Sequence, residues 1–263
     1  MRRPPAPSGA GDLESIAFAD AGYYLLQYGG RQSRDRVSVV FDCGELGFGS
    51  LAAHGHADAL SVAVRAFGVD VLVDPGTYDY FSFPEWRRYL RGTSAHNTIV
   101  VDGADQSAPL GSFLWGRRAE ARCLEWAPRP GGGRVGGTHD GYLTLADPVE
   151  CRRTLELDRA SSSLVISDAI QATAEHDIAL RFHLSERCEA RAEGHRVAID
   201  LGVGRAVLVL DDRLSIAMSR GSAGPDGGWV SRGYHRKAPA WTVTARLRHA
   251  GPLALRTVLQ LQT

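Results

Sequence analysis

Hydrophobic and polar positions alternate with a period of two along most of this chain. Trp241, Val243, Ala245 and Leu247 fall on one face of an extended segment, and Thr242, Thr244, Arg246 and Arg248 on the other. Such alternation marks a half-buried strand. Val62 and Val64 alternate with Ala63 and Arg65 up to Gly68, and Val71-Leu72-Val73 follows before Asp74-Pro75-Gly76. This stretch predicts a hairpin closed by a turn. Further strands are expected over Val37–Phe41, Thr98–Val101, Tyr142–Leu145, Arg153–Leu157, Leu164–Ser167, Ile178–His183, Val197–Leu201, Ala206–Leu210 and Leu253–Leu261. One helix is expected, Pro84–Arg91, with proline in its first turn and Gly92 just past its end. The glycine-rich stretches Arg129–Gly137 and Gly221–Gly228 are expected as loops or hairpin tips. No internal repeat is visible. Many short strands punctuated by turn residues predict an all-β sandwich or barrel, and 263 residues fit one such domain.

Composition narrows the function. Thirty basic and thirty acidic residues give a formal net charge of zero, which argues against a nucleic-acid protein held by a broad basic field and against a polybasic membrane binder. No apolar run approaches the ~18 residues of a transmembrane helix, so no membrane insertion is expected. The start, Met1 to Gly11, lacks the apolar core of a secretory signal, and residues 1–15 are expected as a disordered tail. Cys43, Cys123, Cys151 and Cys188 form no C-x-x-C pair, which excludes a thiolate metal site built on that spacing. Lys237 is the one lysine, so 29 of the basic residues are arginine. Arginine forks grip carboxylate and phosphate, although genome base composition produces the same bias.

The candidate chemistry lies between His54 and Gln106. His54 and His56 are two apart in Ala53-His54-Gly55-His56-Ala57-Asp58, so on extended backbone they face one side. They suit one divalent metal, or one metal ligand beside one acid/base histidine, or ordinary loop hydrogen bonds. Asp74 ends the next apolar strand, and the hairpin returns it towards His56; it is equally the aspartate of a turn. His96 precedes the apolar strand Ile99-Val100-Val101. Two histidines and one carboxylate from three segments make a three-ligand set for which zinc is the expected metal, with Asn97 and Asp58 as residues that orient the ligands. Tyr78, Tyr80, Phe81, Phe83, Trp86, Arg87, Arg88, Tyr89 and Arg91 form an aromatic and arginine patch. It suits an acidic sugar, or it is a short helix that docks Trp86 and Tyr89 and leaves its arginines in water. The other six histidines (His139, His176, His183, His195, His235, His249) are scattered and expected to be structural.

The runs His54-Gly55-His56-Ala57-Asp58-Ala59-Leu60-Ser61, Leu72-Val73-Asp74-Pro75-Gly76-Thr77-Tyr78, Arg91-Gly92-Thr93-Ser94-Ala95-His96-Asn97-Thr98 and Val101-Asp102-Gly103-Ala104-Asp105-Gln106 occur in this order. They resemble the heparinase II/III-like family of polysaccharide lyases, specifically its C-terminal β-sandwich domain. Phe18-Ala19-Asp20-Ala21-Gly22-Tyr23-Tyr24 resembles that domain's first strand, so the likeness runs from about Ile16 to the end. The resemblance implies a large antiparallel β-sandwich over residues 16–263 and β-elimination on uronic-acid polysaccharides such as heparan sulfate or alginate. It implies a single structural zinc held by His56, Asp74 and His96, with His54 facing the substrate. Family members of this kind are often periplasmic or secreted bacterial proteins.

One departure matters. The family joins this sandwich to an N-terminal α/α-toroid that carries a tyrosine base and an Asn/His pair for the uronate carboxylate. This chain has no such region, and its own candidates are His54, Tyr80 and Tyr89 for acid/base work and Trp86, Arg87, Arg88 and Arg91 for substrate. The expectation is a lyase domain or subunit, weak or inactive alone, that needs a toroid partner. The alternatives are a non-catalytic, metal-braced carbohydrate-binding module and a hydrolase using metal-bound water.

Overall fold

The structure, a computed structural model, describes residues 13–262. Residues 1–12 of the expected tail lie outside the described residues. Leu13 to Ser15, counted with that tail, instead lie against the body: the Leu13 amide donates to Gly29 O at 3.1 Å and Ser15 Oγ to Gly132 O at 2.7 Å.

In chain order the elements are β1 (Ile16–Phe18), β2 (Tyr23–Tyr28), β3 (Val37–Asp42), β4 (Val62–Ala66), β5 (Val69–Leu72), helix α1 (Pro84–Leu90) and β6 (Ile99–Val101). There follow β7 (Ala121–Arg129), β8 (Gly132–His139), β9 (Glu150–Asp158), β10 (Ser163–Gln171), β11 (Glu175–His183), β12 (Glu189–Glu193) and β13 (Arg196–Asp200). The last are β14 (Arg205–Val209), β15 (Ser215–Arg220), β16 (Trp229–Gly233), β17 (Arg236–Pro239), β18 (Trp241–Ala250) and β19 (Leu253–Gln262).

Strands β1 to β5 form one antiparallel sheet in sequence order, and β15-β18-β11-β6 form another. A bridge between Leu72 and Leu184 joins these two at a corner. The eight-stranded sheet β12-β13-β14-β19-β10-β9-β8-β7 supplies the rest, and β16–β17 is a separate hairpin. Inward residues of all three large sheets, among them Leu26, Phe41, Leu155, Ile166, Phe182 and Val243, share one continuous core. The expected antiparallel β-sandwich is what the chain forms. Among the described residues no helix is long and apolar enough to cross a membrane.

Two local expectations fail for physical reasons. Gly132 to Gly137, expected in a loop or hairpin tip, is most of β8. Its glycines serve close packing: a Cβ on Gly137 would stand 2.6 Å from Cys43 Sγ. Tyr142 to Leu145, expected as a strand, is a pair of turns, with Leu143 N on Asp140 O and Leu145 N on Tyr142 O. There the buried Tyr142 hydroxyl pins the turn by donating towards Ile99 O and Ala104 O, both at 3.2 Å.

Candidate metal centre and the face beside it

Neighbouring strand ends bring three loops together. The His54–His56 loop joins β3 to β4, Asp74 follows β5, and His96 precedes β6. Asn97 ties them: its Nδ2 donates to Val62 O (2.8 Å) and Val73 O (2.9 Å), and its Oδ1 accepts from the His183 amide (2.6 Å). All three of these hydrogen bonds are buried, so the amide fixes the spacing of β4, β5 and β11 beside His96. Gly76 allows the tight turn after Asp74. Its φ is +82°, and a Cβ there would meet Ser231 O at 2.1 Å, a conformation and an approach that only glycine accepts.

Inside this frame His96 Nδ1 donates to Gly92 O at 2.9 Å. That leaves Nε2 facing Asp74 Oδ2 at 3.2 Å and His56 Nδ1 at 3.1 Å. Two donors on one tetrahedral zinc, each about 2.0–2.1 Å from the ion, stand about 3.3 Å apart. The spacing therefore fits a shared small cation, and the outward N–H of His96 has the backbone acceptor such ligands use. Asp58, expected only to orient the ligands, adds its own carboxylate: one ligand atom from each of His56, Asp58, Asp74 and His96 lies within 4.8 Å of the others.

The electrostatics suit a cation-binding set. Burial opposes charge on His96, but the Asp74 hydrogen bond and charge outweigh it and raise its pKa to about 9. Burial and the His96 charge push His56 down to about 3. Desolvation opposes the Asp74 carboxylate too, yet His96 holds it below the ordinary carboxylate range. Burial raises Asp58 to about 7. A cation bound here would displace the His96 proton, so acid would oppose its binding.

Beneath the loops lies a buried ion pair. Arg153 Nε and Nη2 grip Asp168 at 2.7 and 3.1 Å, and Arg153 Nη1 donates to Asn97 O (2.6 Å) and Leu60 O (3.2 Å). Gln106 and Thr98 both hold Ala59 O. The fourth quoted run, Val101 to Gln106, thus braces the first.

His54 points the other way, into solvent. Its ring meets Tyr80 edge-on at 5.6 Å and Phe113 at 6.2 Å. Tyr80 stacks on Phe113 and on Tyr234, and Phe81 is exposed beside them. Tyr234 continues to His235, whose Nε2 lies 2.6 Å from the buried Asp79 carboxylate. The other expected residues divide. Tyr89 is half-buried, its hydroxyl donates to Ser94 O at 3.3 Å, and burial raises its pKa to about 12, so it stays protonated and tied to the backbone. Trp86 is buried and capped by Lys237, whose Nζ stands 3.3 Å from the ring centroid, so this face is not open to a sugar. Arg88 is exposed, whereas Arg87 and Arg91 are buried and not left in water. Phe113, Tyr234, His235 and Asp79 were outside the sequence-derived set of site residues. Phe113 and the Tyr234-His235 pair belong to none of the four runs, and only the packing reveals them.

The chain is thus an all-β sandwich that gathers two histidines and two carboxylates, a group that could hold a metal ion, under an exposed histidine–aromatic face. The sequence matches the family described as heparinase II/III-like, C-terminal, over residues 10–256, and the chain belongs to that family, which sets it in the context of polysaccharide lyases. Among solved structures it is similar to a mutant of the heparan sulfate lyase HepC from Pedobacter heparinus, with a TM-score of 0.78 and 16% identity. That match covers 98% of this chain and 37% of the other. A heparinase III gives a TM-score of 0.74 at 18% identity over 94% of this chain and 35% of its own. A 4-alpha-glucanotransferase from Thermococcus litoralis gives 0.52 at 10% identity, covering 96% and 39%. At these identities the likeness is one of fold, and the chain spans about a third of the length of the lyases it matches. Comparison with curated protein sequences returns no match.

Proposed function

We propose that this chain is the sandwich part of a polysaccharide lyase that cleaves uronic-acid-containing polysaccharide by β-elimination. His56, Asp74 and His96, with Asp58 beside them, hold one zinc ion whose role is to brace the loops. The observation that carries the reading is the division of labour within two residues: His56 turns inward to Asp74 and His96, while His54 stays exposed against Tyr80.

In the reaction, the C5 proton of a uronate leaves to a base and the O4 leaving group takes a proton, so a double bond forms between C4 and C5. His54 and Tyr80 are the two proton-transfer groups of this face, and Arg88, exposed on α1, attracts the acidic sugar. Neutralising the uronate carboxylate calls for groups beyond these, which an α/α-toroid partner supplies. The isolated chain is therefore weak or inactive.

The test follows unsaturated-uronate absorbance with heparan sulfate, alginate and hyaluronan, for the chain alone and mixed with a separately expressed α/α-toroid polypeptide of the same family. The mixture should turn over one of the three, and His54→Ala should cost it about 100-fold or more, the usual scale for a lost acid/base group. Equal activity of H54A, or no elimination by any mixture, would overturn the proposal and favour a binding module.

A further inference from the structure

Beside His54 lies a cavity of about 520 Å³ lined by Pro84, Arg87, Arg88, Arg91, Leu110 and Ser112 among others. Its volume is in the range of small-molecule sites, roughly 300–1,000 Å³. Arg87 and Arg91 are each only 1% exposed. Buried guanidinium groups are ordinarily matched by a carboxylate, because an unpaired buried charge costs several kcal/mol. Here each donates to backbone carbonyls instead: Arg87 to Ser112 O and Ala53 O, and Arg91 to Gly111 O. Among the described residues Arg87 Nη1 and Arg91 Nε and Nη2 have no hydrogen-bond partner, and the Arg91 guanidinium lies over the Trp115 ring at 3.9 Å. Asp105, whose charge acts on Arg91, is engaged by the Thr93 amide. Burial and the adjacent Arg87 charge both disfavour the Arg91 cation. Two like charges have thus been carried inside with Asp79 and Asp105 acting on them only at a distance, and among the described residues no carboxylate hydrogen-bonds either guanidinium.

We infer that Arg87, Arg91 and the exposed Arg88 form a pocket for one oxyanion, the sulfate or carboxylate group of an acidic sugar, an assignment that rests on the proposed function. Fork-shaped donors match both groups. The cavity leaves room for the ring that carries the anion, and Tyr80 and Phe113, 5.0 and 5.5 Å from the Arg87 guanidinium, hold that guanidinium in place beside it. Ala53 links the pocket to the reacting face, since its carbonyl holds Arg87 and its neighbour is His54. The pocket therefore selects the charge pattern of the sugar next to the one being cleaved.

Titration calorimetry on the full chain at fixed ionic strength tests this with sodium sulfate, glucuronate, glucosamine 6-sulfate and glucose. Saturable one-site binding of sulfate is expected, with tighter binding of at least one acidic sugar and none of glucose. Arg91→Gln should weaken binding about tenfold or more, as expected when charge-assisted hydrogen bonds are lost. Should R91Q fail to fold, Arg88→Ala on the rim should still weaken binding several-fold, roughly as one exposed contact does. Leu110→Glu, which sets a carboxylate on the pocket wall, should abolish sulfate binding. No saturable binding of sulfate or either acidic sugar, or binding unchanged in R88A and L110E, overturns the inference. Neither readout needs turnover. Anion binding without elimination would sink the lyase reading alone, and His54-dependent elimination without anion binding would sink the pocket alone.

Discussion

His176 stands between two carboxylates, with Nδ1 2.7 Å from Asp102 and Nε2 3.0 Å from Asp147. Burial opposes its charge, but the two hydrogen bonds prevail and raise its pKa. Asp102 is lowered against burial by His176, and Asp147 is lowered first by Thr173 and then by the Ala174 amide and His176. A raised histidine contributes stability that is complete below its unfolded value near 6.5 and is lost as pH rises through the folded value. The lowered carboxylates contribute above about 3.9, and theirs is lost as pH falls through their folded values. The wild-type melting temperature should therefore fall more steeply above pH ~6.5 than that of His176→Gln, with parallel curves as the contrary result. This histidine was legible in the sequence only as a scattered one, because its partners lie 74 and 29 residues away. His56, Asp74 and His96 were legible because each sits in a short run at a strand end. Asp58 was visible in the same run, yet only the fold shows its carboxylate turned into the cluster. Asp79 and His235 carry no local mark of pairing, since 156 residues separate them.

Strands β9 and β10 carry the next level of order, because Arg153 and Asp168 face each other across their register. The guanidinium also reaches the loop carbonyls of Leu60 and Asn97, so two strands of one sheet hold loops of the other two sheets. Asp168→Asn leaves the Arg153 charge buried without its counter-ion. It should cost about 3–5 kcal/mol, read from the urea midpoint; a loss under about 1 kcal/mol would show the pair to be dispensable. Elements with clean alternation over apolar residues, such as β14, β18 and β19, were legible from period alone. Helix α1 matched its forecast to within one residue. Strand β12, exposed at nearly every position, was not, because an edge strand of glutamate, alanine and arginine buries too little to leave a pattern. β8 was missed because glycine, which usually breaks strands, here makes room for the opposite layer.

The whole molecule is a sandwich whose layers exist on one side to hold a face. Zero net charge excludes a global field for polyanions, and Arg87, Arg88 and Arg91 form a local cluster along α1 and just past its end. The inward half of the same loops gathers His56, Asp58, Asp74 and His96, and the outward half exposes His54 beside Tyr80; in the proposed function these are the ligands of a cation and the reacting surface. In the proposed function the metal belongs to the fold and is present before any substrate. The direct measurement is metal analysis of the purified chain together with its melting temperature. One zinc per chain is expected, with its removal by a chelator lowering the melting temperature and His96→Ala abolishing metal uptake. A fully folded wild-type chain that takes up no divalent metal, and melts identically with and without chelator, would contradict it.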